Sequence, residues 1–269
     1  HVAPISLDFE EGIDRKTLRR LRDRFLLVNQ QRWNRAHSAL SYRQQMVLEI
    51  LPLAFHLNHP ALPGYLDSDC PYGFSNYKPS PATINAARRL ARTFSLKDEG
   101  KRKPDLDAVF LMGSPGTLGH SVASDLDVWL CHRSDLPERG IRCLERKATK
   151  LTRWAESFGV ELHVFVFCAS DWRAGRQRAE VTGENCGSAQ HFLLLDEFYR
   201  TSIHLAGAWP MWWLIPPEQE QNYDDCMRKL VDFRFVRAED YIDFGPVPGI
   251  PEAEFLGAGV WQLYKGIDA

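Results

Sequence analysis

The stretch that most constrains this chain runs from Phe110 to Cys131, F-L-M-G-S-P-G-T-L-G-H-S-V-A-S-D-L-D-V-W-L-C. One apolar run, Ala108–Met112, stops at Gly113-Ser114, and a loop punctuated by Gly116 and Gly119 follows. A second run, Leu126–Cys131, opens on Asp125-Leu126-Asp127. Short runs of β-branched, aromatic and aliphatic residues bounded by glycine predict buried strands. Strand side chains alternate, so Asp125 and Asp127 project from one side, about 7 Å apart along the strand. Two carboxylates so placed repel each other unless cations sit between them. Paired Mg²⁺ ions, which take carboxylate oxygens together with substrate phosphates, resolve that repulsion.

A rival local reading treats Ser124-x-x-Asp127 as a helix capping box, with the aspartates as helix-start residues. The apolar run lasts only about six residues before His132-Arg133-Ser134-Asp135-Leu136-Pro137, too short for a typical helix. The strand is favoured. Gly113 then allows close approach of the main chain to a phosphate, and its turn can form an anion nest. Ser114, Thr117 and Ser124 add hydroxyl donors. A third strand is predicted over Val160–Cys168, V-E-L-H-V-F-V-F-C. Its acid, Glu161, shares a face with His163 and Phe165. Beside the Asp125/Asp127 strand, Glu161 would complete a carboxylate triad; standing elsewhere, it is a plain strand-end acid.

The rest of the chain supplies a frame for these strands. Asp14–Ala54 reads as helical, with Leu18, Leu21, Phe25 and Val28 at helical spacing and a dense set of arginines read as a solvated face. His59–Pro81 is a long irregular connection rich in Pro and Gly. Ser80-Pro81 opens a helix through Phe94, and further helices are predicted over Arg139–Phe158, Gln190–Leu205, Glu218–Leu230 and Glu252–Lys265. Strands joined by helices in this order indicate an α/β sheet region. The expected organisation is an N-terminal helical segment with the long loop (1–95), a catalytic core (96–180) and a C-terminal helical subdomain (181–269).

Several function classes fall away. Lys and Arg number 33 against 35 Asp and Glu, a net charge of −2, which argues against a bulk nucleic-acid binder. No apolar run approaches the roughly 20 residues of a membrane span, and His1–Glu10 has no apolar leader core, so a cytoplasmic location is expected. The six cysteines are scattered without a C-x-x-C pair and read as reduced, mostly buried thiols. The glycines at 113, 116 and 119 match neither the P-loop nor the dinucleotide fingerprint. Gly119-His120-Ser121 lacks the closing glycine of a nucleophile elbow. His56/His59 and Cys186/His191 have no tetrahedral set around them and read as packed or solvated. Trp129 either packs beneath the aspartates or touches a base, with packing the safer assignment; Tyr65 and Tyr72 either stack on a purine or pack within their loop.

A Gly-Ser strand end, a D-x-D strand and a later acidic strand together resemble the polymerase-β-like nucleotidyltransferases. Four longer segments sharpen this: L-P-L-A-F-H-L-N-H-P-A-L-P-G-Y-L-D (51–67), G-S-P-G-T…S-D-L-D-V-W-L-C (113–131), G-E-N-C-G-S-A-Q-H-F-L-L-L-D-E-F-Y-R-T (183–201) and E-F-L-G-A-G-V-W-Q-L-Y-K-G-I-D (254–268). They resemble the class I adenylate cyclases of Gram-negative bacteria. In the last segment Glu254, Gly257, Ala258, Trp261, Leu263, Tyr264 and Lys265 match the family pattern E-Y-F-G-[SA]-[SA]-L-W-x-L-Y-K, while Phe255, Leu256, Gly259 and Val260 depart from it.

That resemblance implies an α/β (α+β) fold: a polymerase-β-like core with a small mixed sheet flanked by many helices. It implies conversion of ATP to 3′,5′-cyclic AMP and pyrophosphate, with Mg²⁺, or Mn²⁺ in its place, held by Asp125 and Asp127 and assisted by Glu161. Gly113, Ser114, Thr117 and Ser124 would hold phosphate oxygens, and Arg200 and Lys265 are the candidate cations facing the triphosphate. Family members continue into a C-terminal regulatory region, the partner this catalytic part would have; neither nucleic acid nor a membrane is expected. Two rivals stand beside this reading: nucleotidyl transfer to an external acceptor, and a nucleotide sensor without turnover.

Overall fold

The structure, a computed structural model, describes residues 14–96, 103–113, 115, 124–176 and 187–247 (backbone only at 187–193, 217 and 218). Both apolar runs around the glycine-punctuated loop are strands, β1 (Leu106–Met112) and β2 (Leu126–His132). They pair antiparallel, with Met112 opposite Asp127 and Phe110 opposite Trp129. Each is buried along its length except at its second residue, Asp107 in β1 and Asp127 in β2, which are half-buried. Burial on both faces explains the unbroken apolar runs of these strands. The capping-box reading of Ser124-x-x-Asp127 is thereby excluded.

After β2 the chain crosses through a helix, Glu138–Glu156, to β3 (Leu162–Phe167), which pairs parallel with β2. A fourth strand, β4 (Ile203–Gly207), pairs antiparallel with the other edge of β1, and the order among the described residues is β3-β2-β1-β4. This is the small mixed sheet that was expected. In chain order the helices are α1 (Arg15–Ala39), α2 (Tyr42–His56), α3 (Pro81–Leu90), α4 (Glu138–Glu156), α5 (Ala169–Arg173), α6 (Gly187–Thr201) and α7 (Tyr223–Asp232). A two-stranded ribbon joins β5 (Trp209–Pro210) to β6 (Tyr241–Ile242).

The two faces of the sheet bury different material. On one, Val109, Leu111, Val128, Leu130 and Leu162 pack with Leu48, Leu51 and Phe55 of α2 and with Leu144 and Leu151 of α4. On the other, Phe110, Trp129 and Cys131 pack with Trp172 of α5, Phe198 and Tyr199 of α6, and Phe244. Each such side chain, fully withdrawn from water, contributes about 1.5–3 kcal/mol of transfer free energy. Both faces are therefore committed to packing, and polar chemistry is displaced to the ends of the strands.

Several expectations are corrected. The helical region over Asp14–Ala54 is two helices: α1 ends at Ala39, and Ser41 starts α2 in a capping box with Gln44. The helix expected over Gln190–Leu205 ends at Thr201, and the residues that follow form β4. Without β4 the inner strand β1 would leave its backbone unpaired along one edge, which a buried sheet does not tolerate. Gly207 closes β4 at φ +93°, where an added Cβ would lie 2.2 Å from the Asp107 carbonyl oxygen. The helix expected over Glu218–Leu230 starts later, a 3-10 turn over Pro217–Asn222 preceding α7, and α3 stops at Leu90 rather than Phe94. The predicted helix over Glu252–Lys265 lies outside the described residues. Cys70, Cys131, Cys143, Cys168 and Cys226 are free thiols, as expected; Cys186 lies outside the described residues.

The arginine-dense helix α1 does more than face solvent. It lies along β4, the edge of the sheet, and supplies the bonds a further strand would have made. The Asn29 amide donates to the His204 carbonyl (2.9 Å) and accepts the His204 N–H (2.7 Å). Arg32 donates to the carbonyls of Ser202 and Arg200, and Arg15 to that of Arg234. Arg19, Arg20 and Arg35 are exposed, as a solvated face requires. Side-chain capping of this kind blocks edge-to-edge association. Replacing Asn29 by Ala leaves the His204 N–H and C=O without these partners, and a loss of about 1–3 kcal/mol in urea unfolding is expected. An unchanged midpoint would show that water satisfies the edge equally well.

Candidate active site

The Leu126 N–H donates to the Glu161 carbonyl (2.9 Å), and from there β2 and β3 run in register, with Leu126 beside Leu162 and Asp127 beside His163. Neighbours in a parallel ladder point to the same side of the sheet. Asp125 and Asp127 of one chain segment thus share a side with Glu161 and His163 of the next. Asp125 is exposed at the entry to β2, whereas Asp127 is half-buried. One ligand atom from each of Asp125, Asp127 and His163 lies within 4.8 Å of the other two. Glu161 joins them through the imidazole, its Oε1 standing 3.2 Å from His163 Nε2.

The electrostatics follow from this crowding. Burial, and then the neighbouring Asp125 carboxylate, push the Asp127 carboxyl above the usual carboxylate range. His163 opposes that shift, while Glu197 of α6 and Glu161 add to it. Asp127 sits over an aromatic floor: Trp129, two residues along on the same face, stacks on Phe198 with centroids 4.9 Å apart and 13° between planes. Trp129 is buried, so it packs beneath the site, as the safer of its two readings had it. Two carboxylates and an imidazole gathered at an accessible mouth form a donor set suited to a divalent cation.

Gly113 belongs to the same neighbourhood. It adopts φ +78°, and a Cβ built on it would stand 3.8 Å from Asp127 Oδ2. The end of β1 therefore turns beside the carboxylate in a conformation that other residues adopt only with strain. Ser124 lies in the bend leading into Asp125. Arg200 ion-pairs with Asp196 on its own helix (2.7 Å) and lies over the Trp212 ring at 5.8 Å. Ser114, Thr117 and Lys265 lie outside the described residues. The long loop is tied elsewhere: the Tyr72 N–H donates to Asp105 (3.1 Å) and the Tyr65 carbonyl accepts from Lys150 of α4 (3.0 Å). Asp105 precedes the start of β1, whereas the acidic cluster lies at its finish, so Tyr72 stands at the opposite end of the strand from Asp127.

Two residues enter the site that the sequence pattern had not put forward as site residues. His163 had been placed on the face of Glu161, but its convergence with both aspartates depends on the parallel register of β2 and β3. The legible signal was the repeated acid-x-polar spacing, Asp125-x-Asp127 and Glu161-x-His163. Glu197 reaches Asp127 from α6, and no local spacing announces that helix packing.

The fold and this cluster define an α/β protein with an acidic cluster of ligand-type side chains at the mouth of a mixed sheet. Residues 17–213 match the adenylate cyclase NT domain family, and the chain belongs to that family. It is 38% identical over 251 residues to the adenylate cyclase of Escherichia coli K12, an overlap of 93% of this chain and 30% of that protein. It is 37% identical over 251 residues to the adenylate cyclase of Salmonella typhimurium, with the same coverage. To that of Pasteurella multocida it is 38% identical over 248 residues, 88% of this chain and 29% of the other. The chain thus spans about 30% of the length of the curated relatives it matches. No solved structure matches it. Among the described residues no helix is long and apolar enough to cross a membrane.

The raised Asp127 carboxyl has a consequence for stability. The folded state holds its proton more tightly than the unfolded chain, so this group costs stability as pH rises from the ordinary carboxylate range through its folded value. In the presence of a chelator, Asp127→Asn is expected to melt at a higher temperature than the parent at pH 7. The gain should vanish as pH falls below the ordinary carboxylate range. A lower melting temperature at pH 7 would show that the ionised carboxylate is held favourably instead.

Proposed function

We propose that this chain is the catalytic part of an adenylate cyclase, converting ATP to 3′,5′-cyclic AMP and pyrophosphate on a polymerase-β-like core. The observation that carries the reading is the convergence of Asp125 and Asp127 at the open end of the sheet, in a chain of the adenylate cyclase NT domain family. In this reading Asp125 and Asp127 hold Mg²⁺ or Mn²⁺, with Glu161 assisting. The bound cations supply Lewis-acid chemistry, favouring ionisation of the ribose 3′-hydroxyl and offsetting charge on the departing pyrophosphate.

The chain's own residues do the positioning. Gly113, turned beside Asp127, lets the backbone N–H groups of the turn approach phosphate oxygens, with Ser114, Thr117 and Ser124 as hydroxyl donors. Trp129, two residues along on the face of Asp127, stacks on Phe198 and packs the strand that carries the carboxylate. Arg200 and Lys265 remain the cationic candidates for the triphosphate; Arg200 would have to leave Asp196 to serve. The near-neutral net charge fits this proposal, because an acidic centre recruits its positive charge from metal ions.

The test is incubation of the chain with Mg²⁺-ATP or Mn²⁺-ATP and identification of the product. Cyclic AMP is expected, with Asp125→Asn and Asp127→Asn each reducing turnover by about two orders of magnitude or more while circular dichroism stays unchanged. 3′-Deoxy-ATP should give no product. Transfer of AMP from that analogue to an acceptor would establish the nucleotidyltransferase alternative. Full activity in either aspartate variant would remove the assignment.

A further inference from the structure

Resting on the reading of Asp125 and Asp127 as a metal-holding pair, we propose that His163 is a nitrogen ligand of the same cation. We infer also that Glu161 positions its ring, and that this donor set selects Mn²⁺ over Mg²⁺. The D-x-D pattern by itself calls for a third carboxylate on β3. What stands beside Asp127 in the β2–β3 ladder is an imidazole, and it is the imidazole whose donor atom lies within 4.8 Å of both carboxylates.

Glu161 takes a different part. Its Oε1 lies 3.2 Å from His163 Nε2, so the acid engages one ring nitrogen, and in this proposal the other, Nδ1, is the donor to the cation. A carboxylate accepting from the far N–H of a ligating histidine fixes the tautomer, orients the ring and raises its basicity. Glu161 immediately precedes β3 and His163 lies at its start, two residues apart, with side chains exposed by 45% for His163 and 68% for Glu161. Close spacing on a hydrogen-bonded strand makes this a preorganised pair that nonetheless stays open to an incoming ion.

The donor chemistry then discriminates between metals. Mg²⁺ demands near-ideal octahedral oxygen coordination and gives up water reluctantly. Mn²⁺, although the weakest binder of the first-row divalent ions, accepts a nitrogen ligand and a less regular geometry more readily than Mg²⁺ does. A site of two carboxylates and one imidazole penalises Mg²⁺ relative to Mn²⁺, whereas three carboxylates would serve both.

The test uses the 269-residue chain, stripped by chelator and titrated with Mn²⁺ alone at fixed pH. Bound Mn²⁺ is followed by electron paramagnetic resonance, and Mg²⁺ is used as competitor. Electron spin-echo modulation from a directly coordinated ¹⁴N is expected in the parent and should be absent in His163→Asp, which retains an oxygen donor there. In that variant the preference for Mn²⁺ should narrow. Glu161→Ala should weaken Mn²⁺ binding about tenfold or more while keeping the nitrogen modulation. Mn²⁺ bound without nitrogen modulation, in a protein whose affinity still falls in Asp125→Asn, would overturn the His163 assignment and leave the aspartate pair standing. Unaltered affinity in Glu161→Ala would overturn the positioning role. Failure of the parent chain to bind Mn²⁺ would overturn the aspartate reading itself, and this inference with it.

Discussion

The hydrogen bond from the Leu126 N–H to the Glu161 carbonyl, 2.9 Å long, begins the parallel ladder that joins β2 to β3, and the acidic centre depends on it. Side chains in a strand repeat every two residues, so a slip of one position would turn His163 and Glu161 to the opposite face. They would then meet α4 and the aliphatic core, and Asp127 would lose His163, which eases its ionisation. Register is held by burial. Leu162, Val164 and Val166 point into the aliphatic layer while Phe165 and Phe167 face the aromatic one, and a slip would exchange the two sets.

The aromatic layer explains why chemistry sits at the strand ends. Trp129, Phe110, Phe198, Trp172 and Phe244 fill the face behind Asp127, leaving no room for a polar side chain further along β2. Asp127 is half-buried at the rim of this layer and raised in pKa by that burial, so the fold carries an electrostatic cost where the site lies. Concentrating like charge at one rim is tolerated because most of the sheet is apolar on both faces and its β4 edge is capped by Asn29 of α1. Stability is gathered in the layers, while like charge is concentrated at the mouth beside the Gly113 turn.

Much of this was legible in the residues. Short unbroken apolar runs marked β1, β2 and β3, and the i, i+2 spacing of Asp125 and Asp127 put them on one face before any fold was known. The Ser80-Pro81 pair is a local signal that reappears as a helix cap. What stayed hidden was set by packing between distant segments. β4 was absorbed into the preceding helix because Ile203–Gly207 follows Thr201 without a proline or glycine break, and only pairing with β1 makes it a strand. His163 could be placed on a face but not into a cluster, since that depends on which strand lies alongside. Arg200, a candidate cation for the triphosphate, is paired with Asp196 one turn earlier and lies over Trp212. Helix spacing at i, i+4 was a readable sign of that pairing.

In the proposed site three side chains, from β2, β3 and the entry to β2, meet around one cation. Crystals of the chain grown with Mn²⁺, measured at the manganese absorption edge, test this directly. An anomalous peak within bonding distance of Asp125, Asp127 and His163 together is the predicted result. A well-ordered Asp125–Asp127–His163 cluster with no peak at saturating Mn²⁺, or a peak held elsewhere on the chain, would contradict it.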